Sequence, residues 1–103
     1  MAKLTLTASP TFLAKVSIPV PGGKASPVEF KFKARAKDEF KSFLESLSDM
    51  EDVDAIMEIA MGWELDDAFN EDNVEKLVQN YVGSARAILE KYISENSGAR
   101  LGN

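Results

Sequence analysis

Cysteine and histidine are both missing from this chain of 103 residues. Without cysteine the chain cannot form disulfides or thiolate metal sites. Without histidine it cannot build a histidine-activated nucleophile or the usual zinc sites. No apolar run reaches 18 residues, and no charged segment leads into a long apolar run as in a signal peptide. We therefore expect a protein that neither passes through a signal-peptide route nor spans a membrane.

Calcium and phosphate motifs are missing as well. Residues 66–71 lack the glycine that an EF-hand loop needs at its sixth position, and Phe69 falls among the ligand positions. The glycines at 22 and 23 do not open a helical pattern, as a phosphate-binding loop would require. The sequence therefore predicts no enzyme, no cofactor and no metal site.

The net charge of −5 conceals two halves of opposite sign. Residues 1–48 carry eight Lys/Arg against four acids, a net +4, whereas residues 49–103 carry four against 13, a net −9. Because a negative surface repels phosphate backbones, we expect no nucleic-acid partner for the acidic half. That half is either a solvated face or a surface complementary to a basic partner.

The first third of the chain alternates apolar and polar residues, a period of two that predicts strands. The pattern covers residues 4–8, 12–20 and 28–34. Pro21-Gly22-Gly23 has turn composition, and the connection over about residues 20–27 is long enough to be a mobile flap. We predict an antiparallel β-hairpin or a three-stranded meander. The solvent-exposed face of this sheet would carry Lys31, Lys33 and Arg35.

The pattern then changes to the helical period. Four apolar stripes follow, at residues 40–50, 53–63, 74–81 and 85–93. The predicted fold is therefore α+β, with the N-terminal hairpin or meander packed on about four short amphipathic α-helices. We expect one domain over residues 1–96, with strands over about 1–35 and helices over 37–96, and a flexible C-terminal tail over 97–103.

The candidate partner-binding residues lie in or beside the second half of the helical region. Trp63 and Tyr81 fall on apolar stripes, which favours the core over partner contact. Leu65 and Phe69 lie in a loop, where Phe69 can staple onto the following helix. Arg86 either forms a salt bridge with a loop acid or recognises a partner. The full set is Trp63, Leu65, Asp66, Asp67, Phe69, Tyr81 and Arg86.

A long motif of mixed residue types resembles the tail assembly chaperones of long-tailed bacteriophages. The similarity extends over roughly residues 28–103, and Val82 departs from it because the family favours proline there. The resemblance implies a non-catalytic protein that binds the tape measure protein and keeps it soluble during tail-tube assembly. It also implies a location in the host bacterial cytoplasm and absence from the mature virion. The motif consists of residues 62–69, Asn73-Val74, Leu77 and residues 80–88.

Several alternatives remain at this point. A structural tail component would be detected in purified virions, unlike a chaperone, and a small protein-binding adaptor is a third interpretation. The tail tube protein is a second candidate partner, and a homo-oligomer is another, since a basic strand face of one copy would complement the acidic half of the next. The resemblance also implies a longer product made by ribosomal frameshifting. Leu101-Gly102-Asn103 can be encoded with a slippery heptamer, which would place the frameshift at these residues.

Overall fold

The computed structural model of the chain describes residues 4–98. Its antiparallel sheet has the order β1-β2-β3, with β1 at Thr11–Ile18, β2 at Ser26–Lys33 and β3 at Ala60–Trp63. The helices are α1 (Lys37–Ser46), a 3-10 turn (Leu47–Asp49), α2 (Asp52–Ile59), α3 (Glu71–Asn80) and α4 (Ser84–Ser97). The predicted α+β class, with an N-terminal antiparallel hairpin and four helices, is confirmed.

The β1–β2 hairpin follows the alternation of its sequence. The two strands pair without interruption from Thr11 opposite Lys33 to Ile18 opposite Ser26. Gly22 adopts a φ of 75° in the connection, a conformation that glycine reaches without steric cost. One face of the hairpin is buried against the helices, and it comprises Ala14, Val16, Ile18, Val28, Phe30 and Phe32.

The strand predicted over residues 4–8 is wrong. Residues 4–10 form no strand, and the side chains of Leu4 and Leu6 are 95% and 102% exposed. Alternation makes a strand only where a neighbouring strand accepts the backbone hydrogen bonds. In the described chain β1 pairs with β2, and this N-terminal segment has no strand beside it.

The third strand comes instead from the end of the predicted second helix. Helix α2 ends at Ile59, and the next four residues pair with β2 in a register that places Trp63 opposite Phe30 and Ala60 opposite Phe32. The stripe predicted over residues 53–63 is helical only as far as Ile59, because the four residues that follow are too few for their pattern to distinguish a helix from a strand. Strand pairing prevails here because it satisfies the second edge of β2, beside the fully buried Phe30 and Phe32.

Tyr92 of α4 is the centre of the core, and its side chain is fully buried. Its hydroxyl donates a hydrogen bond to the carbonyl oxygen of Lys33 at the end of β2, at 2.9 Å. Helix α4 is thereby tied to the sheet by a polar bond inside an aromatic cluster. The rings within 6.1 Å of the Tyr92 ring, centroid to centroid, are those of Phe12, Phe32, Phe40 and Phe43.

Arg35 does not lie on the exposed basic face predicted for it. Its guanidinium donates to the Tyr92 hydroxyl at 3.1 Å and to the carbonyl of Glu58 at 2.9 Å, and it lies 4.7 Å from the centroid of the Phe43 ring. Only 15% of its side chain is exposed. The reason is that β2 ends at Lys33, so strand alternation no longer determines where residue 35 points.

Helix α4 extends further than its apolar stripe. The Asn96 side chain accepts a hydrogen bond from the Arg35 amide at 2.8 Å and donates to its carbonyl at 3.2 Å. Gly98 then ends the helix with a φ of 76°. All but the first two residues of the predicted tail 97–103, and the whole predicted frameshift site, lie outside the described residues.

A tight turn separates α3 from α4. The amide of Ser84 donates to the carbonyl of Tyr81 at 2.8 Å, and Gly83 has φ −85° and ψ 0°, typical of the third position of a type I turn. A Cβ added to Gly83 would lie 3.1 Å from the ring of Pro19, so this turn also packs against the β1–β2 connection. Helices α3 and α4 are therefore separate, although the valine at position 82, unlike a proline, does not indicate a break.

We expect Tyr92→Phe to lower the free energy of unfolding by ~1–3 kcal/mol, because it leaves the Lys33 carbonyl and the Arg35 guanidinium without their shared partner. Urea unfolding monitored by circular dichroism measures the change. Tyr81→Phe is the matched control, since Tyr81 is 36% exposed and its variant should stay within about 0.5 kcal/mol. Equal losses in both variants would show that the buried hydroxyl contributes nothing particular.

We expect Val82→Pro to raise the free energy of unfolding by ~0.4–1 kcal/mol, since proline suits the second position of a type I turn and restricts the unfolded chain. Tyr81 has φ −126° and ψ 87°, outside the helical region that a following proline disfavours. Val82→Ala separates the loss of the valine side chain, which is 84% exposed, from the backbone effect. Thermal unfolding of the three proteins measures both effects, and a proline variant less stable than the alanine variant would contradict the turn assignment.

Candidate partner-binding groove

A groove of about 420 Å³ lies at the end of the sheet where the β1–β2 connection is found. Three segments form its walls: the end of the hairpin, the loop after β3, and the exposed side of α3. Its apolar lining consists of Ile18, Val20, Val28, Trp63, Leu65, Leu77 and Tyr81. Ile18 and Val28 belong to the hydrophobic core and Leu77 packs against it, so the groove is continuous with the packed interior.

Polar side chains interrupt the apolar lining. Asp67 and Lys76 bring one charge of each sign, and Asn73, Asn80 and Ser26 bring neutral hydrogen-bonding groups. An apolar surface with a few polar groups is typical of a binding site that takes side chains and orients the backbone carrying them.

The loop of residues 64–70 is held in place by hydrogen bonds at both ends. The indole Nε1 of Trp63 donates to the carbonyl of Asp67 at 2.7 Å, and the Asn73 side chain donates to the carbonyl of Ala68 at 2.7 Å. Asn70 caps α3, where its side-chain oxygen accepts a bond from the Asn73 amide at 2.8 Å. These bonds tie the loop wall of the groove to β3 and α3.

Trp63 serves both the core and the groove. Its ring meets Phe30 edge to face at a centroid distance of 5.9 Å, and Phe69 at 5.1 Å. It also lines the groove together with Leu65. The two interpretations offered by the sequence, core and contact, therefore describe two sides of one half-buried ring.

The structure brings five of the seven candidate residues to the groove. Four of them line it, and the ring of Phe69 packs edge to face against that of Trp63. Asp66 lies in the same loop, is exposed and does not line the groove. The four lining residues are Trp63, Leu65, Asp67 and Tyr81.

Arg86 lies apart from this group. The predicted salt bridge to Asp66 or Asp67 is wrong, since Arg86 Nε donates to Glu90 one turn along α4 at 2.9 Å. The hydrogen bond to Glu90, together with the negative charge of that carboxylate, raises the pKa of Arg86 above its usual value. The i,i+4 spacing makes this local pair available without a tertiary contact, and 85% of the Arg86 side chain remains exposed.

Sequence reasoning missed the hairpin wall and most of the α3 wall. Ile18 and Val28 belong to the buried face of the hairpin, and nothing local marks them as reaching a surface. Lys76, Leu77 and Asn80 lie on one face of α3, three or four residues apart from 76 or 77 to 80, and this helical spacing was the available signal. That the two walls meet is a long-range contact, which periodicity alone does not reveal.

Among residues 4–98 no group of three or more acidic side chains could hold a metal ion. No helix in that range is long and apolar enough to cross a membrane. What the groove can do is bury apolar side chains of another polypeptide beside hydrogen-bonding groups.

Comparison with known proteins gives an identity at the family level. A family model described as phage tail assembly chaperone matches residues 1–103, the whole chain. Searches of curated proteins and of solved structures found no significant match. Because the family model matches its whole length, the chain belongs to the phage tail assembly chaperone family.

Proposed function

We propose that this chain binds the tape measure protein of a phage tail through the groove and keeps it soluble while the tail tube assembles. The observation that carries the proposal is the apolar groove at Trp63, with Leu65 and Tyr81 exposed at its rim. A long helical client presents apolar stripes that would otherwise associate with one another. An amphipathic helix that lays its apolar face in a groove is a common mode of recognition between proteins.

The charge around the groove supports the same client. Asp66 and Asp67 in the loop, and Glu71 and Asp72 in the first turn of α3, are all exposed. They favour a client helix whose apolar stripe is flanked by lysine or arginine, and they disfavour an acidic one. The net charge of −9 over residues 49–103 would also keep complexes of chaperone and client apart in solution.

The chain would act without catalysis in the host bacterial cytoplasm, before the tail is complete, and would leave before the virion matures. A surface that is apolar and bordered by exposed charge suits reversible binding, since charged rims exchange readily with water. The structural tail component and the general adaptor have no observation of their own in their favour.

We expect the double variant Leu65→Ser, Tyr81→Ser to reduce the tape measure protein recovered in the soluble fraction on co-expression to a small part of the wild-type amount. Each change removes an apolar side chain that is a little over one third exposed, so its remaining burial against a client is worth about a third of the ~1.5–3 kcal/mol of a full burial. Leu44→Ser is the matched control, because Leu44 on α1 is 38% exposed against 37% for Leu65 and does not line the groove. Equal recovery with both variants, each shown to be folded by circular dichroism, would move the binding surface elsewhere.

We expect the charge reversal Asp66→Lys, Asp67→Lys to weaken binding about two- to thirtyfold, since exposed pairs are worth ~0.2–1 kcal/mol each. The dissociation constant for a synthetic basic amphipathic helix from the tape measure protein measures the effect at low salt, and high salt should shrink it. Glu45→Lys, Asp49→Lys makes the same change of net charge away from the groove and should have little effect. A loss of equal size in the control would show that net charge, and not the loop, is responsible.

A further inference from the structure

Strand β1 forms one edge of the sheet, and every second residue along it directs its backbone groups away from the sheet. The Ala34 amide donates to the carbonyl of Pro10 at 2.9 Å, and the strand register places these two residues opposite each other. Hydrogen-bonded pairs alternate with non-bonded pairs along an antiparallel ladder. Pro27, which has no amide hydrogen, falls in a non-bonded pair with Ser17, as this alternation requires. The residues with outward amides and carbonyls are Thr11, Leu13, Lys15 and Ser17.

These outward groups are almost without partners in the described chain. The Ser9 hydroxyl donates to the Thr11 carbonyl at 2.9 Å. No other hydrogen bond within residues 4–98 reaches the outward groups of the four residues. Residues 4–10 are exposed throughout, so the N-terminal segment does not lie along this edge either. An open row of amides and carbonyls is a template on which another strand can pair.

The two edges of the sheet differ in how far they are protected against such pairing. Strand β3, at the other edge, has four residues and a register shift between Lys31 and Phe32 of its neighbour. Strand β1 has eight residues in unbroken register, contains no proline, and carries one charge, on Lys15. Short strands, bulges, prolines and several charges are the features that keep an edge from pairing. The edge of β1 is therefore the one open to a further strand.

We propose that β1 pairs with β1 of a second copy about a two-fold axis at Ala14, which joins the two three-stranded sheets into one. A two-fold axis sets like edges antiparallel, so Leu13 lies opposite Lys15 of the second copy and Thr11 opposite Ser17. All the outward groups are then used, in about eight hydrogen bonds. Because β1 is the single open edge of each described chain, the assembly closes at two copies.

Other registers that use the outward groups fit less well. An axis at Lys15 would set the ammonium groups of the two copies directly opposite each other, and like charges in that position are destabilising. An axis at Leu13 would leave the outward groups of Ser17 beyond the end of the partner strand. The axis at Ala14 avoids both faults, and the aliphatic stem of Lys15 can cover Leu13, which is 61% exposed in the single chain.

The side chains on the core face of β1 suit the same axis. A non-hydrogen-bonded pair brings the two Cα atoms within about 4.5 Å, and the small side chain of Ala14 fits such an approach. The half-buried Phe12, whose ring stacks on Tyr92, would stand opposite Val16 of the second copy. A pair of strands alone is a small interface, so we expect a weak dimer with a Kd on the order of 0.1 mM.

Hydrogen exchange of single amides, measured by NMR, locates the pairing. The amides of Leu13, Lys15 and Ser17 exchange only from the free chain, so they should exchange about threefold more slowly at about 1 mM protein than at about 30 µM. The amides of Ala14 and Val16 are bonded to β2 in either state and serve as the control. Protection of the outward amides that does not depend on concentration would place the chain's own N-terminal segment on the edge and overturn the proposal.

Charge changes at the opposed positions test the register. Leu13→Lys sets two lysine pairs across the junction and should raise the Kd about tenfold at low salt. Adding Lys15→Glu turns both pairs into attractive ones and should bring the Kd back to the wild-type value or below it. Lys15→Glu alone should change the Kd less than about threefold. Sedimentation equilibrium measures all four proteins, and a double variant that is no tighter than Leu13→Lys contradicts the axis at Ala14.

Leu13→Pro tests the backbone bonds themselves. The amide of residue 13 faces outward, so proline removes a bond of the proposed dimer and none of the chain's own ladder. We expect a monomer up to about 1 mM with the circular dichroism of the wild type. If this variant does not fold, the charge series and the exchange rates decide the question. A wild-type chain that stays monomeric to that concentration overturns the proposal, as does a dimer that persists unchanged in the folded Leu13→Pro chain.

The pairing does not depend on the proposed function. None of these measurements contains a client, and neither Leu65 nor Tyr81 takes part in them. Failure of the dimer therefore leaves the result of the co-expression experiment standing, and failure of client capture leaves the dimer standing.

Discussion

The hydroxyl of Tyr92 is the interaction on which the rest of the structure depends. It accepts from Arg35 and donates to Lys33, so one oxygen joins α4, the end of β2 and, through the guanidinium, the carbonyl of Glu58 on α2. Bonds of this kind are strong inside an apolar cluster because water cannot compete for them. With α4 held this way, the turn before it packs on Pro19, and the α3 wall is placed against the hairpin that forms the opposite wall of the groove.

Most of the fold could be predicted from periodicity, and the errors have physical causes. The hairpin and α3 were predictable because each has a clean pattern and a clear signal at its boundary, the glycines at 22 and 23 and the cap at Asn70. Strand β3 was not, because four residues fit either period and the decisive factor is the open edge of β2, a distant partner. Residues 4–8 have the alternating pattern of a strand but no neighbouring strand to pair with, so they do not form one.

The candidate site was predictable only in the half that is local in sequence. The loop that carries Leu65 and Asp67 follows Trp63 directly, so composition marks it as one unit. The hairpin wall comes from residues whose pattern assigns them to the core, and their meeting with α3 is a long-range contact that periodicity does not reveal. Arg86 shows the opposite case: its acidic surroundings suggested a tertiary bond, but Glu90 one turn away satisfies it at less conformational cost.

The groove exists only in the folded chain, because its walls come from residues around 18–28, 63–67 and 73–81. A ligand of the groove therefore binds the native state and has nothing comparable to bind in the unfolded one. By linkage, a ligand at a hundred times its Kd adds ~2.7 kcal/mol to the free energy of unfolding. Under the proposed function, chaperone and client would therefore stabilise each other: the client would gain a cover for its apolar surface, and the small domain that covers it would gain a larger folded population.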